Sequence, residues 1–433
     1  MQGDCIMKRQ NMEEILEKDS TRKLFLDLYG EGNVEENLER YRYLADGFVK
    51  NFGDEEFELF SSPGRTEIGG NHTDHNHGKV LAGSVNQDCI CAARKNGKNE
   101  IRIVSETFHQ DFTIDLDHLE PTEKTTGTVP LIKGLLAGFQ ERGFQIGGFD
   151  AFTTSTVISA AGVSSSASFE MLICSILNYF FNGNKMTVTN YAHAGRYAEN
   201  KYWNKASGLL DQMACASGGI VTIDFEDCEN PKVEKIDFSL DEIGCDLLIV
   251  NTGKGHANMS DEYSAVPVEM KKTAAFFGKE VLAEVDEEEF MSKIPQVRKA
   301  LGDRCVLRAL HFYNENKRVD AEVAALKEKR YDDFLKMICE SGDSSWKWLQ
   351  NCYCIETASE QAICVALALT ELYLKGMPRT AYRIHGGGFA GVIMVILPKE
   401  ETAGFTKYME EKLDDKCVYR MSIRKYGAIH MEL

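Results

Sequence analysis

Pro63-Gly64-Arg65-Thr66-Glu67-Ile68-Gly69-Gly70-Asn71-His72-Thr73-Asp74-His75-Asn76-His77-Gly78 is the stretch on which the reading of this chain turns. A glycine-supported turn, an arginine, carboxylates and three histidines fall within sixteen residues, and the apolar segment Val80 to Val85 follows. Folding alone does not call for polar side chains packed so densely at the mouth of a strand. The stretch is a candidate site.

Working outward, the chain has 433 residues, more than one hydrophobic core usually organises, so two domains are expected. Hydrophobic residues at 43% and charged residues at 27% describe an ordinary globular protein. A net charge of −18 argues against nucleic acid or an anionic membrane as partner. ATP remains possible, because local amides, magnesium and a few basic groups hold phosphates. The start, Met1 to Lys8, has no apolar signal core, and no apolar run reaches the roughly eighteen residues of a membrane span. The 13 cysteines therefore read as reduced and mostly buried in a cytoplasmic protein. Cys89-x-Cys91 and Cys352-x-Cys354 lack the partners of a zinc site.

Apolar spacing predicts helices over 11–52, 130–142, 168–181, much of 260–340 and 358–375. Strands are expected from Phe57, at 101–104, 112–116, 150–154, 220–224, 245–250 and 392–397. Asn96-Gly97 predicts a hairpin between 89–93 and 101–104. The acidic run Asp286 to Glu289 reads as a solvated helix start. Helices and strands mix without regular alternation, so the class is α+β, with domains at 1–228 and 229–433 joined near Asp227 to Pro231.

Gly162-Val163-Ser164-Ser165-Ser166-Ala167-Ser168 lies between a strand and a helix, where unpaired N–H groups and the helix dipole attract phosphate. Its alternative is a serine cap on a core helix. No Gly-x-x-x-x-Gly-Lys-Ser/Thr occurs, so the common P-loop is excluded. Gly386-Gly387-Gly388-Phe389-Ala390-Gly391 matches the dinucleotide pattern formally, but a strand follows it, which favours a tight turn packed against another backbone. Asp211 is a lone carboxylate in an apolar helix start and needs a partner, either as a cap or as a catalytic group. Glu199 sits on a polar helix, where a solvated role is the ordinary one. His72, His75 and His77 admit a metal, although the residues around them suit sugar hydroxyls equally well.

Taken in order, these stretches resemble the galactokinases, of the superfamily of galacto-, homoserine, mevalonate and phosphomevalonate (GHMP) kinases. The ordered motifs are the signature at 63–78, the loop Gly162 to Ser168, Gly208-Leu209-Leu210-Asp211-Gln212, Asp261-Glu262-Tyr263, and Gly386 to Gly391. The resemblance implies two domains with the active site in the cleft between them, and ATP-dependent phosphorylation of a sugar at its anomeric hydroxyl. By position, Asp211 matches the catalytic aspartate and Arg65 the arginine that keeps it ionised. Gly162, Ser164, Ser165, Ser166, Ala167 and Ser168 match the phosphate loop, with Ser166 and Glu199 as Mg²⁺ ligands. Asn71, His72, Asp74, Gly208 and Tyr263 match sugar-holding positions. The resemblance leaves open whether Asp211 removes the proton early or only positions the hydroxyl.

The chain departs from the family pattern. Asn71 stands for its glutamate, His75 for its tyrosine, Glu67 for its asparagine, Ile158 for a proline, and His385 and Ala390 alter the last glycine motif. Asn71 can donate to a carboxylate as well as accept from a hydroxyl, so galacturonate competes with galactose, the expected substrate. A sensor that binds sugar and ATP without catalysis should lack a catalytic element, yet Asp211, Arg65, Ser166 and Glu199 are all present. A monomer or weak homo-oligomer is expected.

Overall fold

The computed structural model describes all residues except 1–6, 124, 159–161, 206, 254–259, 356 and 390. The strands are β1 (Glu58–Gly69), β2 (Lys79–Lys95), β3 (Glu100–Ser105), β4 (Gln110–Asp115), β5 (Phe149–Ser155), β6 (Ile220–Asp224), β7 (Lys232–Ile236), β8 (Cys245–Asn251), β9 (Ala381–His385), β10 (Val392–Pro398), β11 (Val418–Met421) and β12 (Ile429–His430). They form an eight-stranded sheet, β12-β1-β2-β5-β3-β4 with β6 and β7 continuing from β2, and a four-stranded sheet, β11-β8-β10-β9. The fold is a mixed α/β arrangement with helices packed on both sheets.

The central strands of both sheets are buried on two faces, and strand alternation shows how the sequence achieves it. In β1 and β2, Phe60, Cys89, Cys91 and Ala93 face the helices Thr128–Glu141 and Ser165–Asn182. Their neighbours Leu59, Ile90 and Ala92 face Phe25, Tyr41 and Phe48 of the N-terminal helices. In the smaller sheet, Leu248, Val250, Ile393 and Val395 pack beneath helices Ala362–Leu374 and Thr402–Lys412. Leu247, Ile249, Met394 and Ile396 point the other way, into a core that also holds Leu81, Val85 and Ile220 of the larger sheet. One apolar core thus joins the two sheets.

The hairpin expected at Asn96-Gly97 is absent. The chain turns there, but β5 lies between β2 and β3, antiparallel to the first and parallel to the second. Residues 80–93 belong to one long strand rather than two. The expected junction at 227–231 is the turn between the paired strands β6 and β7, and β7 and β12, both beyond residue 228, join the larger sheet. The acidic run does start a helix, with the Asp286 side chain accepting from the Glu289 N–H at 2.8 Å.

Candidate active site

β1 carries the site. Its register against β2 slips between Pro63 and Arg65, placing a bulge at Gly64. A Cβ on Gly64 would stand 2.6 Å from the Val163 carbonyl oxygen, so only glycine lets the loop before helix Ser165–Asn182 come this close. That carbonyl accepts from the Arg65 N–H at 3.1 Å. The arginine side chain then reaches the Gly162 carbonyl and the Asp211 carboxylate, with Nε and Nη2 at 2.8 and 2.7 Å from Oδ1. Arg65 is buried, whereas about a third of the Asp211 side chain (32%) stays open to a cavity of about 490 Å³.

Asp211 sits in the first turn of helix Leu210–Ser217. Burial works to raise its pKa, but Arg65, then Lys205, and the Ser164 hydroxyl outweigh it and hold the carboxyl below its ordinary value. It is ionised wherever the protein is neutral or basic.

The phosphate-loop expectation divides in two. Gly162, Ser164, Ser165 and Ser166 line the cavity, and Gly162 and Ser164 take left-handed backbone angles, φ 65° and 58°. Ala167 and Ser168 are fully buried, and the Ser168 hydroxyl donates to the Ser62 carbonyl at 2.7 Å, so their side chains serve packing. The Ser166 hydroxyl lies 3.4 Å from Glu199 Oε1. Two hard oxygens at this separation suit Mg²⁺, whose adjacent octahedral ligands stand about 3 Å apart. Lys205 holds the same Glu199 oxygen at 2.7 Å, so a cation already complements that carboxylate.

The sugar signature continues β1 into a short turn. His72, Asp74, Gly208 and Tyr263 all line the cavity. The His72 Nε2 donates to the Gly387 carbonyl at 2.8 Å, and burial pushes its pKa down to about 3, so the ring is neutral. A Cβ on Gly208 would fall 1.8 Å from Asp74 Oδ2, which explains the glycine. Tyr263 packs its ring on His72, with centroids 5.2 Å apart, and lies where a Cβ on Gly387 would come within 2.3 Å. The metal reading of the histidines finds no support: His77 is not among the lining residues, and no cluster of three metal-ligating side chains occurs among the described residues.

Gly386–Gly391 joins the paired strands β9 and β10, so it is a hairpin turn and not a dinucleotide site. It packs against the phosphate loop, a Cβ on Gly386 standing 3.5 Å from the Gly162 oxygen. Ala390 lies outside the described residues.

Asn71 lines the cavity as well, but its side chain is engaged within the protein. It is fully buried, and its amide nitrogen donates to Glu67 Oε1 at 2.6 Å and to the Gly386 carbonyl at 2.9 Å. Its oxygen accepts from Asn351 Nδ2 at 2.9 Å and the Ser345 hydroxyl at 3.2 Å. Both donors and both acceptor positions are filled within the protein.

Comparison with known proteins agrees with this geometry. Residues 46–95 match the galactokinase galactose-binding signature, and residues 130–219 match the N-terminal domain of GHMP kinases. A galactokinase of Clostridium tetani is 28% identical over 84% of this chain and 90% of its own length. One from Lactococcus lactis is 27% identical over 90% of this chain and 95% of its own. Over most of its length the chain is similar to galactokinases, and it carries the galactokinase sugar signature together with the N-terminal domain of the GHMP kinases. A crystal structure of Lactococcus lactis galactokinase complexed with galactose superposes with a TM-score of 0.77 at 23% identity, covering 90% of this chain and all of that one. A mevalonate kinase structure shares the fold more distantly, with a TM-score of 0.58 at 15% identity over 84% of this chain and 98% of its own.

Within this site, sequence reasoning missed three groups. Lys205 lines the cavity and is paired with Glu199; a lysine among small polar residues, six positions after a candidate carboxylate, was the available signal. Arg383, fully buried, donates to the Ile68 carbonyl at 2.9 Å and faces Glu67 at 3.4 Å. His385 accepts from the Glu67 N–H at 3.2 Å while its Nδ1 has no partner.

Proposed function

We propose that this protein transfers the γ-phosphoryl group of ATP to the anomeric hydroxyl of galactose, giving galactose 1-phosphate and ADP. The observation that carries the reading is the Arg65–Asp211 pair, which stands where the sugar signature and the phosphate loop face one cavity. The anomeric oxygen attacks the γ-phosphorus, and the bond to the bridging oxygen of ADP breaks. The Asp211 carboxylate accepts the hydroxyl's hydrogen bond. A group with a lowered pKa is a weak base, which suits late proton transfer in a loose transition state. Arg65 keeps the carboxylate ionised and offsets charge on the transferring group.

Backbone N–H groups and hydroxyls from Ser164 to Ser166 hold the phosphates at the helix N-terminus. Ser166 and Glu199 would hold Mg²⁺, which would supply positive charge against the phosphates. His72, Asp74, Tyr263 and the backbone at Gly208 orient the sugar, beside an Asn71 whose side chain is already hydrogen-bonded within the protein. Every described cysteine is unpaired, which supports a reducing, cytoplasmic location, and no described helix is long and apolar enough to cross a membrane. Work as a monomer or weak homo-oligomer is part of the same proposal.

A panel of hexoses and uronic acids with ATP and Mg²⁺, read by ADP release and by NMR of the product, tests the reading. Galactose phosphorylated at C1 is expected. Phosphate at C6, or no turnover with any sugar, overturns it.

A further inference from the structure

The exchange of acid and amide between positions 67 and 71 leaves one carboxylate oxygen unaccounted for. Asn71 orientation is fixed by its neighbours: Glu67 and the Gly386 carbonyl only accept, so the NH₂ must face them, while Asn351 and Ser345 donate to the oxygen. Contact with a ligand would cost Asn71 a bond it already makes. Glu67 is the opposite case. Its Oε1 takes both Asn71 and Arg383, whereas Oε2 has no hydrogen-bond partner among the described residues. That oxygen is nevertheless not among the fully enclosed, unpartnered atoms of the protein, and Glu67 lines the cavity. Oε2 therefore opens into the space that His72, Asp74 and Asp211 also border.

We propose that Glu67, and not Asn71, makes the hydrogen bond to a hydroxyl of the sugar, with Asn71 and Arg383 as the residues that position it. The inference rests on the sugar-kinase reading above and sharpens its substrate class. The site keeps a carboxyl in the sugar pocket; it has moved by four residues along the chain. A neutral hexose offers Oε2 the donor it lacks. A uronate brings a second carboxyl into the same pocket, so it is either held against a like charge or one of the two acids takes up a proton, and both weaken binding. The amide at 71 borders the cavity but thus does not open the site to galacturonate, because its donors and acceptors are already taken within the protein.

The test is sugar binding without nucleotide, followed by calorimetry or by the fluorescence of Trp203, which lines the same cavity. Wild-type protein should bind galactose at least about tenfold more tightly than galacturonate. Glu67→Gln should weaken galactose about tenfold, with KM rising more than kcat falls. Across the 2-, 3-, 4- and 6-deoxygalactoses, one should bind worse than galactose to the wild type yet no worse than galactose to Glu67→Gln, which identifies the hydroxyl that Oε2 accepts. If Glu67→Gln does not fold, the exchange Glu67→Asn with Asn71→Glu, which keeps an acid and an amide in contact, takes its place in the same comparison. Equal affinity of the wild type for the two sugars, or no deoxygalactose whose loss depends on residue 67, overturns the inference. Wild-type protein that binds no galactose at all would instead sink the functional reading on which it rests.

Discussion

Two arginine–aspartate pairs in this molecule use the same chemistry for opposite ends. Arg424 and Asp88 are both wholly enclosed, and four donors converge on the Asp88 carboxylate. Its Oδ2 takes Tyr29 at 2.7 Å, Arg424 at 3.0 Å and the Ser61 hydroxyl, and its Oδ1 takes Arg40 at 3.0 Å. Arg424 also donates to the carbonyls of Tyr426 and Gly427 at 2.7 and 2.9 Å. The pair ties an N-terminal helix, β2 and the C-terminal segment into one network. At Arg65–Asp211 the arginine is equally enclosed, yet the aspartate gives only Oδ1 to it and leaves a third of its side chain (32%) open. A carboxylate whose acceptors are full has no capacity left for a ligand. One held ionised with acceptor capacity to spare is built to receive a proton or a hydroxyl.

The sharpest way to break this comparison is Asp211→Asn. The shape and the bond to Arg65 can persist, while the charge that strengthens the hydroxyl's interaction in the transition state is gone. Turnover should fall about 10³-fold, with galactose and ATP still bound and thermal unfolding little changed. Near wild-type kcat would misplace the catalytic centre. The mirror experiment is Asp88→Asn, which should leave kcat per folded molecule alone and lower stability by about 3 kcal/mol, because Arg424 and Arg40 are left charged and underpaired. Urea unfolding measures it. The Asp88 carboxyl is held below its ordinary pKa, burial opposing and Arg40 and Arg424 prevailing. Its contribution is therefore complete above the unfolded pKa and is lost as pH falls through the lower folded value. The wild-type advantage over Asp88→Asn should shrink across that acid window and nowhere above it.

Arg65→Met comes next and separates the two roles of the arginine. Removing it leaves burial as the main influence on Asp211, with Lys205 the remaining cation that counters it. The Asp211 pKa should rise, so the acid limb of kcat/KM moves to higher pH while the plateau falls about 10²-fold. A plateau loss with an unmoved acid limb would mean that Arg65 acts only on the phosphoryl group.

How much of this was legible in the sequence follows the same division. Asp211 and the glycine turns stand out because their residue types are unusual for their local setting, whereas the roles expected of Arg65, Ser166 and Glu199 come from the resemblance to the galactokinases. A charged group in an apolar helix start, or glycines between strands, signals chemistry or close approach without any knowledge of the fold. What the sequence hid was saturation. Asn71 looked free because the groups that fill it, Ser345, Asn351 and Gly386, lie 274, 280 and 315 residues away in the chain. The Asp88 network was invisible for the same reason, with Arg424 at a separation of 336 residues. The hairpin at Asn96-Gly97 failed because turn chemistry fixes a change of direction but not a strand's partner, and β5 supplies the better-matched neighbour to both β2 and β3. Local chemistry reads from the sequence; whether a polar group still has an acceptor or donor to offer does not.

Gly208→Ala gives the smallest effect and tests the comparison at the rim of the open carboxylate. The new methyl would begin 1.8 Å from Asp74 Oδ2, a distance that no side chain tolerates, and that atom accepts from the Leu210 N–H at 3.4 Å. Asp74 borders the cavity, and among the described residues its other oxygen meets only His75, at 3.7 Å. It should therefore swing rather than push the helix Leu210–Ser217, which carries Asp211 one residue further on. On this account the damage falls on sugar binding. KM for galactose rises about tenfold, kcat at saturating sugar falls by no more than about threefold, and KM for ATP stays as it was. A fall in kcat as large as that of Arg65→Met would show instead that the helix start had shifted and taken Asp211 with it. The open carboxylate would then depend on Gly208 for its position, and the two arginine–aspartate pairs would differ less in rigidity than their hydrogen bonds imply.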